Sequence, residues 1–168
     1  MRKLIIILVI LVVVMGAIFT YQFFQSYVTG VDVKNAKEVF NQYSVNSRDN
    51  YVEAYTELSE HNKKDISLEL YKEWRAVSAK CIEVKKFSFD TVKKYRNPKL
   101  EGVRYRKAIQ LSGSVKVKDL IKNEVTERPG KIYIVYEKGQ WKIFDRVTSD
   151  SAKSTIDQFE LEMQSSGK

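Results

Sequence analysis

At 168 residues and a formal charge of +8, the chain has room for one ordinary domain behind an N-terminal segment, and for little else. Its single cysteine, Cys81, excludes an intramolecular disulfide and any cysteine metal cluster. Beyond residue 30, 27 basic residues face 21 acidic ones, so the body is moderately basic by itself.

The first predicted element is apolar. Leu4 to Phe19 is an unbroken run behind Met1, Arg2 and Lys3, and extended to Phe24 it reaches 21 residues. At ~1.5 Å per helical residue that matches the ~30 Å hydrocarbon layer of a bilayer. A cleaved export signal is the competing reading. The small-residue pattern around Met15-Gly16-Ala17 is poor, and Val28-Thr29-Gly30 sits behind bulky aromatics, so an uncleaved anchor is favoured. No cysteine lies near the run, which excludes a lipoprotein anchor. Tyr21, Phe23, Phe24 and Tyr27 have the composition of an interfacial belt. Arg2 and Lys3 keep the short tail cytoplasmic under the positive-inside rule, which puts the remainder outside the cytoplasm. An exported domain without disulfides fits a bacterial surface better than a eukaryotic secretory route.

Val31 to Asn46 predicts a helix, with Asp32 as N-cap and Val33, Ala36, Val39, Phe40 and Tyr43 on one face. A second helix is expected over 49–60, then a polar loop carrying His61, then a third helix capped by Asp65 or Ser67 and running to about Ala79. After Lys80 the period falls to two. Ile82 and Val84 alternate on one parity and Phe87 and Phe89 on the other, which predicts a bulge near Lys85 or Lys86.

From Val103 the odd positions through Val117 are apolar apart from Lys107, which reads as one long half-buried antiparallel strand. Arg128-Pro129-Gly130 is expected to turn the chain into a strand over 132–136, and Lys138-Gly139 to make a hairpin into a strand over 141–147. Ala152, Ile156, Phe159 and Met163 predict a closing helix. The expected architecture is α+β: a transmembrane helix, then three helices packed on a curved antiparallel sheet, then a C-terminal helix. The divisions are a cytoplasmic tail (1–3), a transmembrane helix (4–24), a connector (25–32), an α+β body (33–148) and a C-terminal helix and tail (149–168).

The stretches Tyr51-Val52-Glu53-Ala54-Tyr55-Thr56-Glu57-Leu58-Ser59, Leu70-Tyr71-Lys72-Glu73-Trp74 and Tyr133 to Ile143 resemble, in that order, bacterial envelope members of the nuclear transport factor 2-like superfamily. The likeness covers about residues 33–147 and concerns fold, not active site. It implies a cone-shaped domain. The anchored layout is similar to assembly factors of Gram-positive conjugative and type IV secretion machines, and such cones also serve as accessory domains of penicillin-binding proteins.

Enzymatic relatives of such cones work with a carboxylate beside histidine or tyrosine. His61 stands in a polar segment and reads as an ordinary surface residue; Asp90 and Asp145 lie on predicted strands, but no spacing pairs them. Cys81, at the start of the first predicted strand, reads as a buried small hydrophobe. Ser112-Gly113-Ser114 lies within a strand rather than at a strand-to-helix turn, so Gly113 reads as a bend. No catalytic, cofactor or metal site is therefore assigned, and no enzyme activity is expected.

Charge gives the candidate site. Between Lys85 and Lys122, twelve basic residues face Asp90, Glu101 and Asp119. Arg104, Arg106, Lys116 and Lys118 share one strand parity and are expected to form one basic patch. Three functions are weighed: an extracytoplasmic scaffold or assembly subunit acting through other envelope proteins, a cone that binds a small molecule or works as a hydrolase or isomerase, and an electrostatic binder of anionic lipid or wall polymer. Nucleic acid is disfavoured, because the tyrosines read as core; a homo-oligomer is left open.

Overall fold

The computed structural model describes residues 2–25 and 27–166, with side chains from Ile10 onward except at positions 22 and 25. Helix α1 (Arg2–Gln25) leads, and its side chains from Ile10 to Tyr21 are all exposed. Among the described residues no helix is long and apolar enough to cross a membrane. The expected transmembrane helix (4–24) falls partly on side chains outside the described residues.

Helix α2 (Gly30–Asp49) follows almost at once. Its N-cap is Thr29, one turn earlier than the expected Asp32. Asp32 is instead the third helical residue and returns the favour: the Thr29 backbone N–H donates to its carboxylate at 2.8 Å, while its own N–H donates to the Thr29 hydroxyl at 3.1 Å. The expected second helix is broken in two. Asn50 caps α3 (Tyr51–Thr56), the chain then bridges Leu58 to the sheet, and Ser59 caps α4 (Glu60–Asp65). The segment expected as a loop around His61 is thus helical, because Ser59 supplies a cap that the polar composition concealed. Helix α5 (Leu68–Cys81), capped by Ser67, carries Cys81 at its end rather than on a strand.

The sheet is antiparallel, in the order β1 (Ile82–Arg96), β4 (Lys107–Asp119), β5 (Glu124–Glu137), β6 (Gln140–Phe144). The register slips between Val84 and Lys86, where the parity change predicts it, and again between Phe89 and Thr91. At the second slip Gly113 lies so close to β1 that an added Cβ would sit 1.7 Å from the Ser88 carbonyl oxygen. Glycine is required at 113 by this close approach of two backbones rather than, as expected, by a bend.

Two expectations fail here for physical reasons. The strand expected from Val103 is broken by a small hairpin, β2 (Lys99–Leu100) and β3 (Val103–Arg104), because Asn97, Glu101 and Gly102 adopt positive φ and fold the chain over. Arg128-Pro129-Gly130 does not turn the chain; it lies within β5 opposite Gly113 to Val115, and Pro129 is tolerated because β6 reaches only Tyr133, leaving β5 an edge at that height. The turn is made earlier, at Asp119, whose carboxylate accepts the N–H groups of Ile121 and Lys122, both at 2.9 Å. The Lys138-Gly139 hairpin is present, with φ of 48° and 84°.

One sheet face packs on α2, α3 and α5. Ile109, Leu111, Ile134 and Ile143 meet Phe40, Tyr43, Leu58 and Tyr71 in the main core. The other face carries a smaller cluster, where the β2–β3 hairpin lays Tyr105 and Leu100 over Ala108, Val135 and Phe144. Helix α6 (Ser149–Ser165) closes the body, burying Ala152 and Ile156. Its principal neighbour is α5.

Candidate functional site

Lys107 breaks the apolar parity of β4, and the structure shows why. Its ammonium reaches Asp32 at 2.9 Å, with both side chains nearly buried. Burial works to raise the Asp32 pKa, but the Thr29 N–H, Lys107 and the Thr29 hydroxyl hold it below the ordinary aspartate value. One carboxylate thus closes a helix cap and ties the start of α2 to the start of β4.

The four basic residues expected on one face are split. Arg104 belongs to β3, opposite Lys99, and Arg106 to the link into β4. Lys116 and Lys118 stand near the other end of β4, roughly 30 Å away at ~3.3 Å per strand residue. There Lys116 lies directly between Lys86 and Glu127, and Lys118 between Glu83 and Val125. Lys86, Ser88, Ser114, Lys116 and Glu127 line a shallow groove of about 180 Å³. Two ammonium groups facing each other across a ladder are a small electrostatic cost that an anion would relieve.

A second cluster is buried. The Tyr71 hydroxyl donates to that of Tyr43 at 3.3 Å, and Arg75 donates twice to the Ser47 carbonyl, at 3.1 and 2.6 Å. Burial pushes the Tyr43 pKa well up, with the charge of Asp145 and then Tyr71 adding to it. Asp145 is also raised by burial, against the pull of the Arg146 N–H, Arg75 and Tyr43. Asn62 fixes the backbone beside it: its amide donates to the Asp145 carbonyl and its carbonyl accepts from the Asp145 N–H at 3.1 Å and from the Ser59 hydroxyl at 2.7 Å.

A carboxylate beside tyrosine is a pairing that proton transfer can use. Here Tyr71 is 1 % exposed and Tyr43 7 %, so their rings fill the space a substrate would take. Asp90 lies apart, exposed at the second bulge of β1.

His61 is more engaged than its polar surroundings suggest. Its ring stacks on Phe144 at 5.5 Å and 7°, with Nε2 3.3 Å from Asp65 and 3.4 Å from Glu101. It pins α4, β6 and the β2–β3 hairpin together. Near it the Tyr105 hydroxyl is buried without a hydrogen-bond partner of good geometry among the described residues. Burial, with Glu137 and Glu101 adding and Ser59 opposing, pushes its pKa up to about 12. Among the described residues no group of three or more histidine, cysteine or acidic side chains is arranged to hold a metal ion.

Sequence reasoning missed one contact. The Arg96 guanidinium lies 3.8 Å from the centre of the Phe23 ring, joining β1 to the end of α1. No periodicity signals a pair so distant in the chain.

No known protein family and no curated protein matches the chain.

Proposed function

We propose that the protein is a single-pass, membrane-anchored scaffold or assembly subunit whose body lies outside the cytoplasm and works through contacts with other envelope proteins. The observation that carries this reading is the junction between α1 and the body. An apolar helix whose side chains are exposed over 10–21 hands over to the capped α2 within a few residues, while Val28 is buried and Phe23 meets Arg96. Such a junction holds a body at a fixed attitude to its anchor, which suits an assembly subunit better than an enzyme that must reach its substrate. The nuclear transport factor 2-like identity, and the kinship with conjugative and type IV secretion assembly factors, belong to the same proposal.

Partner contact is assigned to the sheet end remote from α1. There Val84 and Val125 are exposed, on opposite faces, and 122–129 is exposed throughout. A photo-crosslinker at Val125 in intact cells is expected to capture a second envelope protein, whereas one at Lys153 on α6 is not. Recovery of monomer alone from both positions overturns the scaffold reading. The anchor is tested separately. Cys81 is 1 % exposed and unsuited to labelling, so Lys153→Cys is the reporter for an impermeant maleimide. Labelling of Lys153→Cys only after lysis overturns the external placement.

A second reading, a hydrolase or isomerase, draws on Asp145 beside Tyr43. It requires water to reach that carboxylate, and it is abandoned if the buried tyrosines exchange their hydroxyl protons no faster than the global unfolding rate. The groove at Lys86 and Lys116 supports a third, an electrostatic binder of anionic polymer, which requires binding that weakens with salt.

A further inference from the structure

We propose that the body end adjoining α1 forms a basic collar that rests on the phosphate headgroups of anionic phospholipid. The inference depends on α1 being a membrane anchor. Arg96, at the end of β1, stands against Phe23 in the last turns of α1. Its ladder partner Lys107 is bound to Asp32 in the first turn of α2. The β2–β3 hairpin hangs from the same place, since the Asn97 N–H donates to the Arg106 carbonyl at 3.0 Å and the Tyr105 N–H to the Pro98 carbonyl at 2.9 Å.

Between Lys93 and Lys107 the sequence holds seven basic residues and one acid, Glu101. Lys107 is neutralised by Asp32, and Glu101 is turned towards His61 and Arg146, at 3.4 and 3.6 Å. The other six, Lys93, Lys94, Arg96, Lys99, Arg104 and Arg106, are all exposed.

A surface kept basic for solubility alone mixes the two signs. Here one sign is concentrated beside Phe23, which belongs to a run of aromatic residues, Tyr21, Phe23, Phe24 and Tyr27, of the kind that suits the headgroup level. Arginine forks match phosphate oxygens two at a time, and lysine adds point charge. Lys116 and Lys118, near the other end of β4, are excluded from the collar. The collar would set the tilt of helix and body together against the bilayer, since the junction at Phe23 fixes the body's attitude only to α1.

The test uses the full chain in lipid nanodiscs, either of neutral phosphatidylcholine or containing about 30 % phosphatidylglycerol, a composition that gives a negative surface potential. Acylation of individual lysines by a water-soluble ester is read by peptide mass spectrometry. Lys94 and Lys99 are expected to react about threefold more slowly or less in the anionic discs, with the protection lost at about 0.5 M salt as the Debye length shrinks. Lys116 and Lys131 should be unchanged. In the variant Arg96→Gln/Arg104→Gln/Arg106→Gln, the protection of Lys99 should fall by half or more, roughly as the charge lost.

Equal reactivity of Lys94 and Lys99 in the two lipids overturns the collar and leaves the anchor standing. Protection of Lys116 equal to that of Lys99 also overturns it, since the contact would then not be local. Protein recovered free of lipid overturns the anchor reading and the collar with it.

Discussion

Replacing Asp32 by alanine tests the claim that one carboxylate serves both a helix cap and a tertiary tie. The substitution removes the acceptor of the Thr29 N–H and Thr29 hydroxyl, and leaves the Lys107 ammonium, 12 % exposed, without its counter-charge. Loss of the reciprocal cap costs about 1 kcal/mol. Stranding a nearly buried ammonium adds about 1–3 kcal/mol, less than for a fully buried pair because Lys107 can turn towards water.

For a body of this size each kcal/mol moves the melting midpoint by roughly 3–5 °C, so Asp32→Ala should lower it by about 8–15 °C. Lys107→Met should lower it by less than half as much, about 5 °C, since Asp32 keeps its two Thr29 donors and the methionine stem still covers Tyr136. Tryptophan fluorescence is the assay, because Trp74 and Trp141 both lie in the body and α1 contributes nothing to the signal. The double variant should melt close to Asp32→Ala, a coupling of about 1–2 kcal/mol. Strictly additive shifts, or an Asp32→Ala midpoint within about 2 °C of wild type, would refute the reasoning.

The two perturbed aspartates should respond to pH with opposite signs. The folded pKa of Asp32 is held low, so its stabilisation is present above the ordinary aspartate value and lost as pH falls through the lowered one; Asp32→Ala should abolish that acid loss. The folded pKa of Asp145 is raised by burial, so its contribution is fully present below the ordinary value and fades as pH rises through the raised one. Asp145→Asn should flatten that slope in fluorescence melts, and an unchanged slope counts against the burial. Gly113→Ala should cost about 3 kcal/mol or more, because the clash is with backbone on β1; a midpoint shift under about 3 °C would mean the bulge relaxes freely. His61→Phe keeps the stack on Phe144 and should melt within about 3 °C of wild type, whereas His61→Ala should lose about 1 kcal/mol.

What could be read from the sequence was local. The apolar faces of α2, α5 and α6, the parity change that becomes the first bulge of β1 and the Lys138-Gly139 hairpin all follow from neighbours within a few residues. The errors arise where a distant partner decides. Thr29 rather than Asp32 is the cap because Asp32 also serves Lys107, 75 residues on. Pro129 sits in a strand because β6 is too short to need its N–H. Tyr105 ends a strand because its ring is wanted on the opposite sheet face, against Phe144. The candidate patch suffered similarly: shared parity was sound arithmetic for a single strand, but Arg104 and Lys116 are not on one.

That division changes what the positive charge can do. A continuous basic face would serve any polyanion laid along the sheet, and its contacts would be interchangeable. Two patches roughly 30 Å apart at ~3.3 Å per residue answer to different surroundings. The patch beside Phe23 is within reach of whatever surrounds α1, while the groove at Lys86 and Lys116 stands well beyond a Debye length of ~8 Å from it and feels that environment weakly. Neutralising one should therefore leave the other's salt dependence intact. If the variants Arg104→Gln/Arg106→Gln and Lys116→Gln/Lys118→Gln instead depressed the same binding curve equally, the two patches would be acting as one surface, and the folding-over of the hairpin that carries Arg104 would have no electrostatic meaning.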